Sequence, residues 1–278
     1  MLWLAAVEQF KDNDYLVFEN ERYTYAQAHE KASRLASLLY TKYGVRKGDR
    51  GKFRFKQSNH PLFTHRFGYP NAVAIIMRNF PEFVLSFWAT QLLGAVATLI
   101  NAWVLHEPLV HCITKTNPKV IIVDPERADR LAGRTLDEVK QHTSLHRVLV
   151  ARAHEVRSSK WKWKGMSSLE DVIAAYDGPV DAWRAVPEPV PEDDATIFFT
   201  SGTTGLPKGV LSTQRQFLTN FFNALVTKFR ALLRRGEAIP EPDPNESPKA
   251  VLISVPLFHV TGNTSTLVCV WSLLLAIL

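Results

Sequence analysis

Five short apolar runs, Val73–Met77, Ala95–Ile100, Val120–Val123, Val148–Val150 and Ala195–Phe199, carry no charged residue, and helical patterning separates each from the next. A strand with one face in water alternates apolar and polar side chains; these runs do not, so both of their faces must be covered. Strand and helix trading places in this way predicts an α/β fold of layered, mostly parallel sheets covered by helices. A composition of 46% hydrophobic and 22% charged residues supplies core enough for it.

The last of these runs leads directly into Thr200-Ser201-Gly202-Thr203-Thr204-Gly205-Leu206-Pro207-Lys208-Gly209-Val210. Glycines let backbone N–H groups close on an anion without a Cβ in the way, hydroxyls add donors, and a lysine adds a mobile positive charge. The loop is therefore a candidate phosphate cradle. It is not a Walker loop, because Pro207 precedes the lysine and Gly209 follows it where Ser or Thr would meet Mg²⁺. Nor is it a dinucleotide fingerprint, since Thr204 occupies the place of the second glycine. The competing reading is a surface turn of small polar residues.

All eleven positions of this loop resemble the signature loop of the adenylate-forming ligases, the superfamily of acyl-CoA synthetases, peptide-synthetase adenylation domains and luciferases. The resemblance implies the large N-terminal domain of that family, incomplete here. It implies that Thr200, Ser201, Gly202, Thr203, Thr204, Gly205 and Lys208 hold the ATP phosphates, with Lys208 and Thr200 the catalytic pair. A second stretch, Pro256-Leu257-Phe258-His259-Val260-Thr261-Gly262, follows Lys249–Val255, which reads as another strand, and resembles the family's turn beside the carboxylate and acyl pocket. It implies acyl-site roles for Phe258, His259 and Gly262; from the residues alone, a lone His at a strand end is read as structural. The turn Asn101-Ala102-Trp103 and the helix from Pro108 to Cys112 resemble the fatty-acyl branch. The expected activity is that of an acyl-CoA synthetase, with ATP, Mg²⁺, coenzyme A and a small carboxylic acid as cofactor and co-substrates and no metal held by protein ligands.

Other features set further expectations. Met1–Val7 reads as a packed first helix, Val17–Phe18 and Arg22–Tyr23 as a hairpin, and Thr24 with Gln27 as a capping box opening a helix that stops near Gly44. Asn79 is placed to cap the helix carrying Pro81, Phe83, Phe87 and Leu92. Helical patterns lie at Pro108–Thr114, Leu136–Gln141 and Leu169–Ala175. Ser212 or Thr213 caps a helix through Phe217, Phe221, Leu225 and Phe229 whose apolar stripe reads as packing on the sheet, with an acyl tunnel the second reading, and Arg230–Pro248 reads as a solvated loop.

Residues 51–71 interrupt the family's pattern with basic, aromatic and His residues of no regular period. They read as translated intron sequence or, second, as a genuine surface loop. The apolar tail, residues 267–278, also departs from the pattern and is too short to span a bilayer, which takes about 20 apolar residues. The whole chain, 1–278, is thus expected to be a partial N-terminal AMP-binding domain from a truncated or frame-shifted reading, with the family's C-terminal domain absent and little turnover of its own. A non-catalytic nucleotide- or acyl-binding fragment and a protein held to membranes by its tail are the alternatives. Net charge is +6, but Lys52, Arg54, Lys56 and Arg66 lie in the interrupting segment, so no nucleic-acid partner is inferred. Two cysteines in apolar surroundings, Cys112 and Cys269, fit an intracellular setting, cytoplasmic or peroxisomal.

Overall fold

The computed structural model describes residues 2–48, 72–156, 163–200, 205–239, 249–272 and 274–278. The interrupting segment 51–71 therefore lies outside the described residues. After the helix α1 (Leu2–Phe10) come the hairpin β1 (Asp14–Phe18) and β2 (Glu21–Thr24) and the helix α2 (Tyr25–Thr41). The capping box is present as expected. Thr24 accepts from the Gln27 amide while the Gln27 side chain accepts from the Thr24 N–H. Gly44, at φ +62°, takes the left-handed turn that ends this unit. Thr24→Ala should lower stability by about 1 kcal/mol, the usual worth of such a cap. A denaturant titration reading no change would show that the capping bonds contribute nothing.

A seven-stranded sheet follows. Its strands are β3 (Ala72–Ile76), β4 (Val96–Leu99), β5 (Val120–Val123), β6 (Arg147–Val150), β7 (Ser167–Ser168), β8 (Asp194–Thr200) and β9 (Lys208–Thr213), in the order β7-β6-β5-β3-β4-β8-β9. All neighbours are parallel except β8 and β9. Every residue of β3, β4 and β5 is buried, which is why these runs show no alternation. On one face Val73, Ile75 and Met77 pack with Leu35, Leu38 and Leu39 of α2 and with Phe83 and Phe87 of α3 (Pro81–Leu92). On the other, Ala74 and Ile76 meet Leu109 and Cys112 of α4 (His106–Thr116), Leu131 of α5 (Pro125–Leu131) and Leu136 of α6 (Arg134–His142).

Two expectations are corrected, and two elements were not foreseen. Asn79 does not cap α3; Phe80 holds that position without a side-chain bond, and the Asn79 amide is used elsewhere. The helix α5 was not foreseen, although Asp124 as N-cap and Pro125 at the first turn are its signature. Residues 208–213 form β9, so the phosphate loop closes a hairpin rather than running straight into a helix. That helix, α8 (Gln214–Arg234), after α7 (Leu169–Ala174), is capped by Thr213 and includes Arg230–Arg234, which had been assigned to a loop.

The second sheet explains the apolar tail. Beyond β10 (Lys249–Leu252) and α9 (Val260–Ser272), the strand β11 (Leu274–Ile277) lies between β10 and β1, parallel to both. An inner strand is covered by its neighbours, and Ala276 is fully buried. No helix among the described residues is long and apolar enough to cross a membrane.

Candidate functional site

In a doubly wound sheet, ligands bind outside the carboxyl ends of the strands, near the point where connections diverge to opposite faces. Here α3, which follows β3, covers one face, while α4, α5 and α6, which follow β4 and β5, cover the other. That point lies at the ends of β3, β4 and β5.

The sheet carries the phosphate-loop candidates to the same edge. Antiparallel pairing sets Thr200 directly opposite Lys208, so the neck of the loop is a cross-strand pair with both side chains on one face. The Thr200 hydroxyl donates to the Lys208 carbonyl at 3.5 Å, and both residues are exposed. Among the described residues Lys208 has no acidic partner, which leaves its ammonium available to an anion. Gly205 has φ +141°, in a region L side chains rarely adopt, and an added Cβ there would meet nothing within 4 Å; the backbone geometry rather than crowding calls for glycine. A ring nitrogen of His111 on α4 lies 3.1 Å from the Pro207 carbonyl, tying the loop's far end to the helix layer. Ser201, Gly202, Thr203 and Thr204 lie outside the described residues.

The second stretch reaches this edge from β10. Asn79, just beyond β3, donates to the carbonyls of Ile253 (3.2 Å) and Val255 (2.9 Å) and accepts from the Leu257 N–H (2.9 Å). One amide thereby fixes the approach to the Phe258–His259 turn. Phe258 is buried and meets Trp103 edge-on at 5.3 Å. His259 is exposed, its N–H bonded to the Pro256 carbonyl at 3.0 Å. Gly262 is buried against the backbone of Pro256. Asn220 of α8 donates to Thr264 of α9 at 3.1 Å, joining the helix after the phosphate loop to the helix after the His turn.

Next to the second stretch, which it meets through the Trp103–Phe258 contact, lies a group that sequence reasoning missed. Asp124, fully buried at the end of β5, accepts from the Arg78 N–H and the Arg127 N–H, both at 3.0 Å. The Arg127 guanidinium pairs with Asp124 at 3.4 Å, donates to the Ala102 carbonyl at 2.7 Å, and lies 5.5 Å from the Trp103 ring centre. Three strand ends are gathered on one carboxylate–guanidinium pair. An Asp-Pro dipeptide after a buried run was the available signal. Trp103, Asn79, Arg78, Phe80, Ser254 and Pro256 line a 470 Å³ cavity there.

At the end of β6, Arg152 binds Glu21 of β2, Glu82 of α3 and Glu155. Its bond to Glu21 holds that carboxyl below the usual range, whereas burial pushes Glu82 up. This contact fastens the N-terminal hairpin to the main sheet. No group of three or more His, Cys, Asp or Glu side chains able to hold a metal occurs among the described residues. The paired Thr200 and Lys208 and the open glycine at 205 suit a phosphate chain, which brings its own oxygens to a divalent ion.

The family described as AMP-binding enzyme matches residues 67–276, a span that contains both stretches. A 4-coumarate-CoA ligase 2 of Narcissus pseudonarcissus is 27% identical over 251 residues, covering 89% of this chain and 36% of its own. Long-chain fatty acid transport protein 6 of Mus musculus is 26% identical over 210 residues, covering 73% of this chain and 28% of its own. The chain thus spans about a third of the length of the curated relatives it matches. In fold it is similar to the O-succinylbenzoate coenzyme A synthetase of Bacillus subtilis, solved in complex with AMP. The TM-score is 0.65 at 18% identity, over all of this chain and 55% of that one.

Proposed function

The chain belongs to the AMP-binding enzyme family, and on that premise we propose that it carries the ATP-facing and acid-facing walls of a carboxylic acid–CoA ligase acting on a fatty acid. In that reaction a carboxylate oxygen attacks the α-phosphorus of ATP and the bond to pyrophosphate breaks. The sulfur of coenzyme A then attacks the acyl carbon, AMP leaves with the bonding pair, and the thiol proton passes to solvent. Mg²⁺ bound to the phosphates neutralises charge on the departing pyrophosphate.

The residues of this chain contribute by binding and placement. Thr200 and Lys208, with Ser201–Thr204 and Gly205, hold the triphosphate; Phe258, His259 and Gly262 border the acid. Lys208 offers positive charge where the departing phosphates gain negative charge, and the paired strands β8 and β9 fix its approach. The observation that carries this reading is the register pairing of Thr200 with Lys208 at the sheet's carboxyl edge. The fatty character of the acid rests on the Asn101-Ala102-Trp103 turn and is supported by a relative named for long-chain fatty acid transport. Burial pushes the free thiols of Cys112 and Cys269 up to about 12 and about 11; the proposed setting is intracellular, in cytoplasm or peroxisome, where free thiols persist.

We further propose that these 278 residues bind ATP without releasing acid-dependent pyrophosphate at an enzymatic rate. Calorimetric titration with Mg-ATP should show binding that Lys208→Ala weakens about tenfold to a hundredfold, the loss of one charge-assisted contact. Equal affinity in the variant would remove Lys208 from the site. Acid-dependent pyrophosphate release by this chain at an ordinary enzymatic rate would overturn the binding-only reading while keeping the ligase one.

A further inference from the structure

The helix α8 has two apolar faces, and only one is used by the fold. Phe217 and Phe221 are buried against the sheet layer. Leu218 packs partly buried on the same core, whereas Phe222, Val226 and Leu233 face outward at 48%, 49% and 57% exposure, with Phe229 partly buried among them. Their spacing of four, three and four residues puts them on one side of the helix. At 21 residues the helix is about 30 Å long, so the stripe runs over about half of it.

Charge on this element has one sign. From Gln214 to Gly236 the sequence holds Arg215, Lys228, Arg230, Arg234 and Arg235 and no acid. Arg215 is paired with Glu192 and Arg235 with Glu237. Arg230 and Arg234 are exposed, have no ion pair among the described residues, and lie one step round the helix from the stripe. An apolar face bordered by arginines is the pattern of helices that lie in the plane of a lipid interface, where acyl chains receive the apolar side chains and headgroup phosphates the cations. A protein partner would have to supply an apolar groove rimmed with acids, whereas an anionic bilayer supplies both chemistries over any length.

We propose that the outer face of α8, from Phe222 to Arg234, docks the protein on an anionic lipid surface. The helix lies on the surface rather than crossing it, since with Arg215, Lys228, Arg230 and Arg234 it is not apolar enough to span. This inference is independent of the ligase reading, because no residue of the stripe belongs to the phosphate loop or the His turn.

The test is flotation of the purified chain with vesicles of phosphatidylcholine alone and of phosphatidylcholine mixed with phosphatidylglycerol, at low and high salt. The chain should float with the mixed vesicles at low salt, and high salt should release it. Phe222→Ser with Leu233→Ser should abolish flotation, and Arg230→Gln with Arg234→Gln should weaken it about thirtyfold. Leu105→Ser, which removes another exposed leucine, should leave it unchanged. All the altered side chains are exposed, so circular dichroism and the unfolding midpoint should match the parent and keep the comparison valid. Failure of the parent chain to float, or undiminished flotation of the serine variant, overturns the proposal. So does a serine variant that changes from dimer to monomer on size exclusion, which would assign the face to a second copy.

Discussion

Asp124→Ala is expected to lower the stability of the fold by about 4 kcal/mol. Breaking a buried ion pair by removing one partner costs about 3–5 kcal/mol, because the other charge stays in a medium that solvates it poorly. The Arg127 side chain is 3% exposed and that of Asp124 fully buried, so the remaining guanidinium could not turn to water in place. It would keep Glu126 at 2.8 Å and the Ala102 carbonyl, but one of its terminal nitrogens already has no partner among the described residues. The same substitution also removes the N-cap of α5 and the acceptor for the Arg78 N–H. A double variant, Asp124→Leu with Arg127→Met, should regain most of the loss, since apolar groups of similar volume can replace a buried pair without leaving a charge behind. Denaturant midpoints decide it. A cost under about 1 kcal/mol for Asp124→Ala would mean that Arg127 is solvated and that the three strand ends are held together by other contacts.

The parts of this fold legible in the sequence are those that depend on local chemistry. The buried runs from Val73 to Phe199 announced parallel strands because they lack alternation, and Thr24 with Gln27 announced a helix start because both capping partners are within three residues. The hairpin around the phosphate loop was hidden because Gly209 and Lys208 are poor strand formers; their pairing partners on β8, not their own propensity, make them a strand. Asn79 shows the same limit at a side chain. Its position before Pro81 suits a cap, but a stretch about 175 residues away offers two carbonyls and an N–H at once, and the amide goes there. The place of the tail in the fold was unreadable for a related reason. Leu274–Ile277 looks like a stray apolar end until β10 and β1 flank it. Of the candidate site, the loop and the His turn were readable as motifs, whereas the Asp124–Arg127–Trp103 group beside the His turn was not, because its partners come from different strand ends.

Gly262→Ala separates packing from ligand contact at the second motif. Helix propensity by itself favours the change, since alanine is better than glycine inside a helix by about 1 kcal/mol. Position 262 is the third residue of α9 and shows no left-handed backbone that would require glycine. Sterics point the other way. An alanine Cβ would lie 2.7 Å from the Pro256 carbonyl carbon, nearer still to its oxygen, and 3.0 Å from the Val255 oxygen. These are backbone atoms in a segment that Asn79 already clamps through Val255 and Leu257, so they cannot swing aside as a flexible side chain would. Forcing atoms into a packed site costs about 1–3 kcal/mol, and more where the backbone must move. A net loss of about 2 kcal/mol is therefore expected, with the helix shifted away from Pro256 and the Phe258–Trp103 contact loosened. The check is a denaturation midpoint together with near-ultraviolet circular dichroism, which reads the packing of aromatic rings. Unchanged or higher stability would show that α9 does not approach Pro256 so closely, and would leave Gly262 a role only where an acid binds. A stability loss would instead explain the glycine by the fold and leave His259, exposed at the same turn, as the residue of that motif free to meet a substrate.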